Sequence, residues 1–182
     1  VSECHFEGSS LSSSFVSCTI NDCMFSGLSV VSVRDGDCNL VSLRTLGDSR
    51  CYLSHEGQFR TIEDAIGSFV ISCRNGSQSV LKNSTIEGVG SVSFPSAVDP
   101  CFAIFCDVYS SLQVQNSTVS NNVVSDGCFN AAILNYANTP ILIQDSIVCG
   151  NTPLNIYGLY SLENSFLLPN CGSFEGSCCS AS

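Results

Sequence analysis

The sequence predicts an all-β solenoid, in which short strands wind around one core and each coil packs on the next. Two observations lead to this prediction. A short pattern with a polar first residue recurs along the chain, and cysteines repeat at intervals of about 22 residues. Alternating apolar and polar residues precede several copies of the pattern, which is typical of strands.

The recurring pattern is a hexapeptide. It begins with Asn, Asp or Glu, continues with a small residue, and has an aliphatic residue or Phe at its fourth position. Its copies begin at Glu3, Asp22, Asn83, Asn116, Asp145 and Asn164, so their starting positions differ by 19, 61, 33, 29 and 19. We interpret the step of 61 as three coils, and the steps of 33 and 29 as one coil with a loop each. Strands on both sides of the polar residue predict a corner there.

The cysteines supply a second period. The positions of Cys106, Cys128, Cys149 and Cys171 increase in steps of 22, 21 and 22, and Cys73 follows Cys51 by a step of 22. The distance from these cysteines to the nearest corner drifts, but both periods are consistent with about 22 residues per coil. That period predicts about eight coils for the chain.

The strand, Asn-Ser, strand rhythm resembles the right-handed parallel β-helix superfamily, the pectin-lyase-like fold. The resemblance covers about residues 1–27 and 77–170 and implies a right-handed parallel β-helix. The spacing of leucine-rich repeats is absent, and a β-sandwich of short, even strands is the alternative fold.

Residues 59–66, Phe-Arg-Thr-Ile-Glu-Asp-Ala-Ile, are similar to the segment that opens many such β-helices. Thr61 followed by Asp64 is close to a capping box, which predicts one short helix near 61–66. We expect a single domain over 1–182. Two coil blocks, 1–58 and 68–172, flank the helix, and a Cys-rich tail, 173–182, follows.

The composition excludes several classes of function. The chain has 182 residues, 44% of them hydrophobic and only 12% charged, and its net charge is −10. A net negative charge with a single Lys disfavours nucleic acid and anionic membrane surfaces. No apolar run approaches the roughly 18 residues of a membrane span. Because the chain starts at Val1 inside a repeat, we expect it to be excised from a longer secreted precursor.

Thirteen cysteines without paired CxxC motifs favour an oxidising, extracellular compartment over zinc binding. The disulfide candidates are Cys4, Cys23, Cys106, Cys128, Cys149, Cys171, Cys178 and Cys179. In-register neighbours on parallel strands, about 4.8 Å apart, suit the Cα separation of a disulfide. Several buried free thiols are the alternative.

Three N-x-S/T sequons begin at Asn75, Asn83 and Asn116, and we expect these residues to carry N-glycans. Asn83 and Asn116 share their corner position with Asp22 and Asp145, which are not in sequons. That corner is therefore either glycosylated and turned outward, or an internal Asn ladder that satisfies backbone groups.

The sequence predicts no catalytic, cofactor-binding or metal-binding residue. It lacks the motifs of pectate lyases and polygalacturonases. Residues 35–39 open like a calcium loop, but Leu40 and Leu46 stand where that loop needs Gly and Glu. Residues 54–56, Ser-His-Glu, are adjacent on a strand and would point to opposite faces.

We therefore expect a secreted structural or adhesive β-solenoid module, a subunit of an extracellular filament, coat or surface glycoprotein. Its expected partners are other copies of itself or other extracellular matrix or surface proteins. A carbohydrate-active or carbohydrate-binding β-helix is the alternative, because two carboxylates from different coils are enough for glycoside hydrolysis.

Overall fold

The computed structural model describes residues 2–8, 10–14, 18–34, 37–47, 49–56, 59–90, 102–124 and 131–168. Within these ranges the regular structure is all strand, and no helix is present. The all-β fold class is therefore confirmed for the described part of the chain.

The first eleven strands are β1 (His5–Glu7), β2 (Ser10–Ser14), β3 (Cys18–Asn21), β4 (Met24–Ser26), β5 (Leu28–Arg34), β6 (Cys38–Val41), β7 (Arg44–Thr45), β8 (Arg50–Glu56), β9 (Phe59–Glu63), β10 (Ile66–Gly67) and β11 (Phe69–Arg74). The next eleven are β12 (Gln78–Lys82), β13 (Thr85–Glu87), β14 (Ile104–Cys106), β15 (Ser111–Gln115), β16 (Thr118–Ser120), β17 (Ala131–Asn135), β18 (Ile141–Gln144), β19 (Ile147–Cys149), β20 (Leu154–Tyr157), β21 (Tyr160–Glu163) and β22 (Phe166–Leu167).

Successive strands join three parallel sheets in turn. Sheet 1 has the order β1-β4-β7-β10-β13-β16-β19-β22, sheet 2 the order β2-β5-β8-β11-β14-β17-β20, and sheet 3 the order β3-β6-β9-β12-β15-β18-β21. Three consecutive strands, one in each sheet, make one coil, and each strand pairs with the strand three places later. This arrangement is consistent with a parallel β-solenoid.

The hexapeptide pattern marks the two ends of each sheet 1 strand. Its first residue has a left-handed backbone in every copy, as at Asp22 with φ 51° and Asn83 with φ 49°. Its last residue is left-handed too in the first five copies, as at Gly27 with φ 63° and Gly88 with φ 71°. Asn, Asp and Gly tolerate this conformation best, and the pattern therefore recurs because each coil must turn twice around a short strand.

The core consists of columns of apolar side chains, one residue per coil. In sheet 3 such a column contains Ile20, Leu40, Ile62, Leu81, Val114 and Ile143, which are paired in register and at most 1% exposed. Each side chain therefore packs on the coils before and after it, and each coil depends on its neighbours for burial.

The predicted helix near 61–66 is wrong. Residues 59–63 form β9, Asp64 takes the left-handed corner conformation with φ 53°, and β10 follows at Ile66. Ile62 pairs with Leu40 on one side and Leu81 on the other. These pairings bury Ile62 in the column, which outweighs the local resemblance to a helix start.

The interpretation of the interval from Asp22 to Asn83 as three coils is confirmed. Two further left-handed corners, at Ser42 and Asp64, divide it into three shorter steps, each of which contains one strand of every sheet. The intervals from Asn83 to Asn116 and from Asn116 to Asp145 also contain one strand of every sheet each. The loops predicted in them coincide with 91–101 and 125–130, which lie outside the described residues.

The cysteine period does not correspond to one structural column. Cys73 and Cys106 are in-register neighbours in sheet 2, but Cys149 lies on β19 in sheet 1. The spacing matches the coil length, whereas the position within the coil changes. This change explains why the distance from cysteine to corner drifts.

Replacing a column residue should destabilise the fold far more than replacing its outward neighbour. We expect Leu81→Ala, which empties a fully buried site, to lower the free energy of unfolding by about 2–4 kcal/mol. Val80→Ala, on the half-buried outer face of the same strand, should lower it by less than about 1 kcal/mol. Urea unfolding followed by circular dichroism measures both, and equal losses would contradict the assignment of faces.

Candidate functional site

The corner between sheets 3 and 1 is the most regular feature of the surface. We call its residues the corner column: Glu3, Asp22, Ser42, Asp64, Asn83, Asn116, Asp145 and Asn164. Their φ angles lie between 45° and 55°. All of them are exposed except Ser42, which is half-buried. The column therefore presents a line of carboxylates and amides to solvent.

Directly after the corner column runs a buried ladder of serine side chains. The Oγ of Ser117 accepts a hydrogen bond from the backbone N–H of Ser84 at 3.1 Å and donates one to the carbonyl of Gln115 at 2.7 Å. Ser146 and Ser165 repeat both bonds in the following coils. Each hydroxyl thus satisfies one buried amide of the preceding coil and one carbonyl of its own coil.

Cys4 and Cys23 occupy the same ladder position in the first two coils. The Sγ of Cys23 donates to the carbonyl of Asn21 at 3.1 Å, and the Sγ of Cys4 donates to the carbonyl of Ser2 at 3.2 Å. These bonds correspond to those that the serine hydroxyls make to the carbonyl two positions earlier in the chain. The thiols therefore replace hydroxyls in the ladder.

A second ladder, of asparagines, satisfies the corner between sheets 1 and 2. The Oδ1 of Asn122 accepts from the N–H of Val89 at 3.0 Å, and the Oδ1 of Asn151 accepts from the N–H of Asn122 at 3.0 Å. Asn155 in turn accepts from the N–H of Asn151. The side chains of Asn122 and Asn151 are fully buried, and their amide groups donate to the carbonyls of Ile86 and Val119.

The internal Asn ladder, one of the two interpretations of the corner that holds Asn83 and Asn116, is wrong for these residues. Both side chains are exposed, and Nδ2 of Asn116 donates to Oδ1 of Asn83 at 2.9 Å on the outer surface. Serines form the internal ladder at the next position. The sequence signal for it is the serine in the second position of the pattern, and the signal for the Asn ladder is an Asn directly after the last position.

The third sequon residue, Asn75, lies exposed in a turn between β11 and β12 that Asp107 holds in place. The Asp107 carboxylate accepts from the N–H of Asn75 at 2.7 Å, the N–H of Tyr109 at 3.2 Å and the Oγ of Ser110 at 2.6 Å. Burial raises the pKa of Asp107, but these hydrogen bonds outweigh it, and the net pKa lies below the ordinary value. All three sequon residues thus lie on the surface, and glycosylation itself stays a prediction.

The disulfide candidates have different outcomes. The structure joins Cys18 to Cys38, which were not among the candidates, across the in-register pair β3–β6 with a Cα separation of 4.7 Å. Three candidates, Cys4, Cys23 and Cys106, are not disulfide-bonded, and Cys149 is. The remaining candidates lie outside the described residues: Cys128, Cys171, Cys178 and Cys179.

Two further cysteines behave as buried structural thiols. Cys51 is fully buried in sheet 2, and burial raises its pKa well above the ordinary range. Burial, together with the neighbouring Cys73 and Asp107, raises the pKa of Cys106 to about 12. A thiol with so high a pKa stays protonated at neutral pH and is a poor nucleophile or metal ligand.

The last coil exposes a group of large apolar side chains that we call the terminal apolar surface. Its residues are Leu154, Tyr157, Leu159, Tyr160, Leu162 and Phe166, which are 42–65% exposed. Leu162 pairs in register with Ile143 and Tyr160 with Ile141, both of which belong to the core. Leu162 and Tyr160 are therefore core-type positions, and β21 is the last described strand of sheet 3.

No cluster of reactive groups stands out in the part of the chain that the structure describes. Among those residues, no three His, Cys, Asp or Glu side chains lie together as metal ligands would. Ser54, His55 and Glu56 are consecutive on β8, and the calcium-like segment 35–39 lies partly outside the described ranges. The described residues also contain no helix long and apolar enough to cross a membrane.

Comparison of the chain with protein-family models, with curated proteins and with solved structures finds no match.

Removing one hydroxyl from the serine ladder should destabilise the protein. Ser117→Ala leaves the buried N–H of Ser84 without its acceptor, so we expect the free energy of unfolding to fall by about 1–3 kcal/mol. Ser161→Ala, at an exposed site on β21, should change it by less than about 0.5 kcal/mol. Thermal unfolding of the two variants separates these outcomes, and a silent Ser117→Ala would show that the ladder carries no free energy.

Proposed function

We propose that the chain is a secreted structural or adhesive β-solenoid module, a subunit of an extracellular filament, coat or surface glycoprotein. The observation that carries the proposal is the terminal apolar surface, where the described strands of all three sheets end together. Open strand edges beside exposed core-type side chains favour addition of another layer of strands. Terminal layers of solenoids are either capped or stacked on another molecule.

The occupant that we propose is a second copy of the chain, stacked head to tail. Its first coil offers the open edge of β1, whose strands run in the same direction as those of β22. The column that ends at Leu167 begins at Phe6, which is half-buried and stacks on Phe25 at 5.2 Å between ring centroids. Stacking would therefore place apolar side chains on apolar side chains and continue the parallel pairing.

The proposal includes membership in the pectin-lyase-like superfamily of right-handed parallel β-helices, with about eight coils. The recurring hexapeptide and the rotation of strands through three parallel sheets support it. The chain lacks the catalytic motifs of the lyases and hydrolases in that superfamily. A structural role accounts for the repeats without needing an active site.

Secretion and glycosylation belong to the same proposal. The Cys18–Cys38 disulfide supports an oxidising compartment. The exposure of Asn75, Asn83 and Asn116 leaves each acceptor side chain at the surface, where a glycan can be attached.

Sedimentation velocity of the purified chain, with electron microscopy of the same samples, tests the proposal. We expect species larger than the monomer that increase with protein concentration. They should also increase with salt, because each copy carries a net charge of −10 and salt screens the repulsion. Leu162→Lys should shift the protein to monomer, since it places a charge on the terminal apolar surface. Ser161→Lys, on the outer face of the same strand, is the matched control and should still associate.

A wild-type protein that stays monomeric at about 100 μM across a range of salt would contradict the filament proposal. Equal loss of association in both lysine variants would show that net charge, and not the terminal apolar surface, controls assembly. Binding of a monomer to immobilised polysaccharide would instead favour the carbohydrate-binding alternative.

A further inference from the structure

Cys4 and Cys23 lie on neighbouring coils at the same position. β1 and β4 pair in parallel with His5 opposite Met24, so Cys4 lies opposite Cys23 at the preceding position. The N–H of Met24 donates to the carbonyl of Cys4 at 2.9 Å, which extends the pairing to the cysteines themselves. Both side chains point to the interior side of the corner, because both thiols take the ladder position.

The chain already contains a disulfide with this geometry. Cys18 and Cys38 are in-register partners on neighbouring parallel strands, with a Cα separation of 4.7 Å. In-register residues on parallel strands lie about 4.8 Å apart throughout such a stack. The separation between coils is therefore one that a disulfide spans in this protein.

We propose that Cys4 and Cys23 form a second disulfide between neighbouring coils, made by thiol–disulfide exchange with a small-molecule or protein disulfide. Together with Cys18–Cys38 it would fasten the first coil to the second at two places, once on each side of the corner between sheets 3 and 1. The first coil has a partner coil on one side only, so it gains most from a covalent link.

The exchange balances in two steps. The Cys4 thiol gives up its proton, and its thiolate attacks one sulfur of the external disulfide, expelling one external thiolate that takes up a proton. The Cys23 thiolate then attacks the Cys4 sulfur, the mixed disulfide breaks, and the second external thiol leaves. The two cysteines lose two electrons and two protons, and the external disulfide gains them as two thiols.

The order of the steps follows from exposure. Cys4 is half-buried and can be reached by an external disulfide, whereas Cys23 is fully buried. Burial raises the pKa of Cys23, and its neighbour Cys4 also affects it. Less of Cys23 is thiolate at neutral pH, so the second step should be the slower one and should accelerate as pH rises.

The test oxidises the full chain with oxidised glutathione, alkylates the remaining thiols in acid-quenched samples, and maps peptides by mass spectrometry. Chymotrypsin cuts after Phe6 and Phe25, and Asp-N proteinase cuts before Asp22, so Cys18 and Cys23 fall in different peptides. We expect peptide 1–6 to be linked to peptide 22–25. At neutral pH a glutathione adduct on Cys4 should precede this product, and it should decay faster near pH 9.

The matched variants are Cys4→Ser and Cys23→Ser, alone and combined. Serine is the residue that four later coils use at this ladder position, so the variants keep the hydrogen bond while removing the disulfide. We expect oxidation to raise the Tm of the wild type by roughly 5–10 °C relative to the double variant under the same conditions. With both proteins reduced, the difference should largely vanish.

Recovery of both Cys4 and Cys23 as alkylated thiols after oxidation, with Cys18 and Cys38 linked, would overturn the proposal. So would linkage of Cys4 to any cysteine other than Cys23. A stable glutathione adduct on Cys4 that never resolves near pH 9 would also overturn it, because it would show that Cys23 cannot reach the Cys4 sulfur.

Discussion

Each coil must turn its backbone sharply between sheets 3 and 1 while burying the N–H group that follows the turn, and the rest of the structure depends on this corner. The turn requires a left-handed residue, which selects Asn and Asp at positions such as Asn116 and Asp145. The buried N–H requires an acceptor from the next coil, which Ser117 and Ser146 supply. Without that acceptor, each coil would leave a buried donor unsatisfied, at a cost of about 1–3 kcal/mol.

This constraint links the chemistry of the interior to that of the surface. The ladder makes every coil dependent on the next, so the last described coil, which contains Leu162 and Phe166, exposes side chains of a type that other coils bury. At the other end, Cys4 and Cys23 serve in the ladder as thiols. The corner residues themselves face solvent and make a surface of amides and carboxylates. The same repeat thus sets both the stability of the stack and the character of its faces.

The repeat was predictable from sequence because its requirements are local. The left-handed corner needs Asn, Asp or Gly, and these residues are visible in the pattern. Prediction failed where long-range pairing decided the outcome. At Ile62 a helix-like local sequence was overruled by pairing with Leu40 and Leu81. The cysteines shared the length of a coil but not a position in it, and only the strand register distinguishes Cys106 in sheet 2 from Cys149 in sheet 1.

Amide hydrogen exchange at the ladder tests most directly whether serine hydroxyls join successive coils. The backbone amides to follow are those of Ser84, Ser117 and Ser146, each of which donates to the hydroxyl of the next coil. The ladder predicts that they exchange as slowly, within about tenfold, as the strand amides of Thr85 and Thr118, which donate to backbone carbonyls of the preceding coil. Exchange of the three serine amides at the rates of an unstructured peptide, with the strand amides still protected, would contradict it.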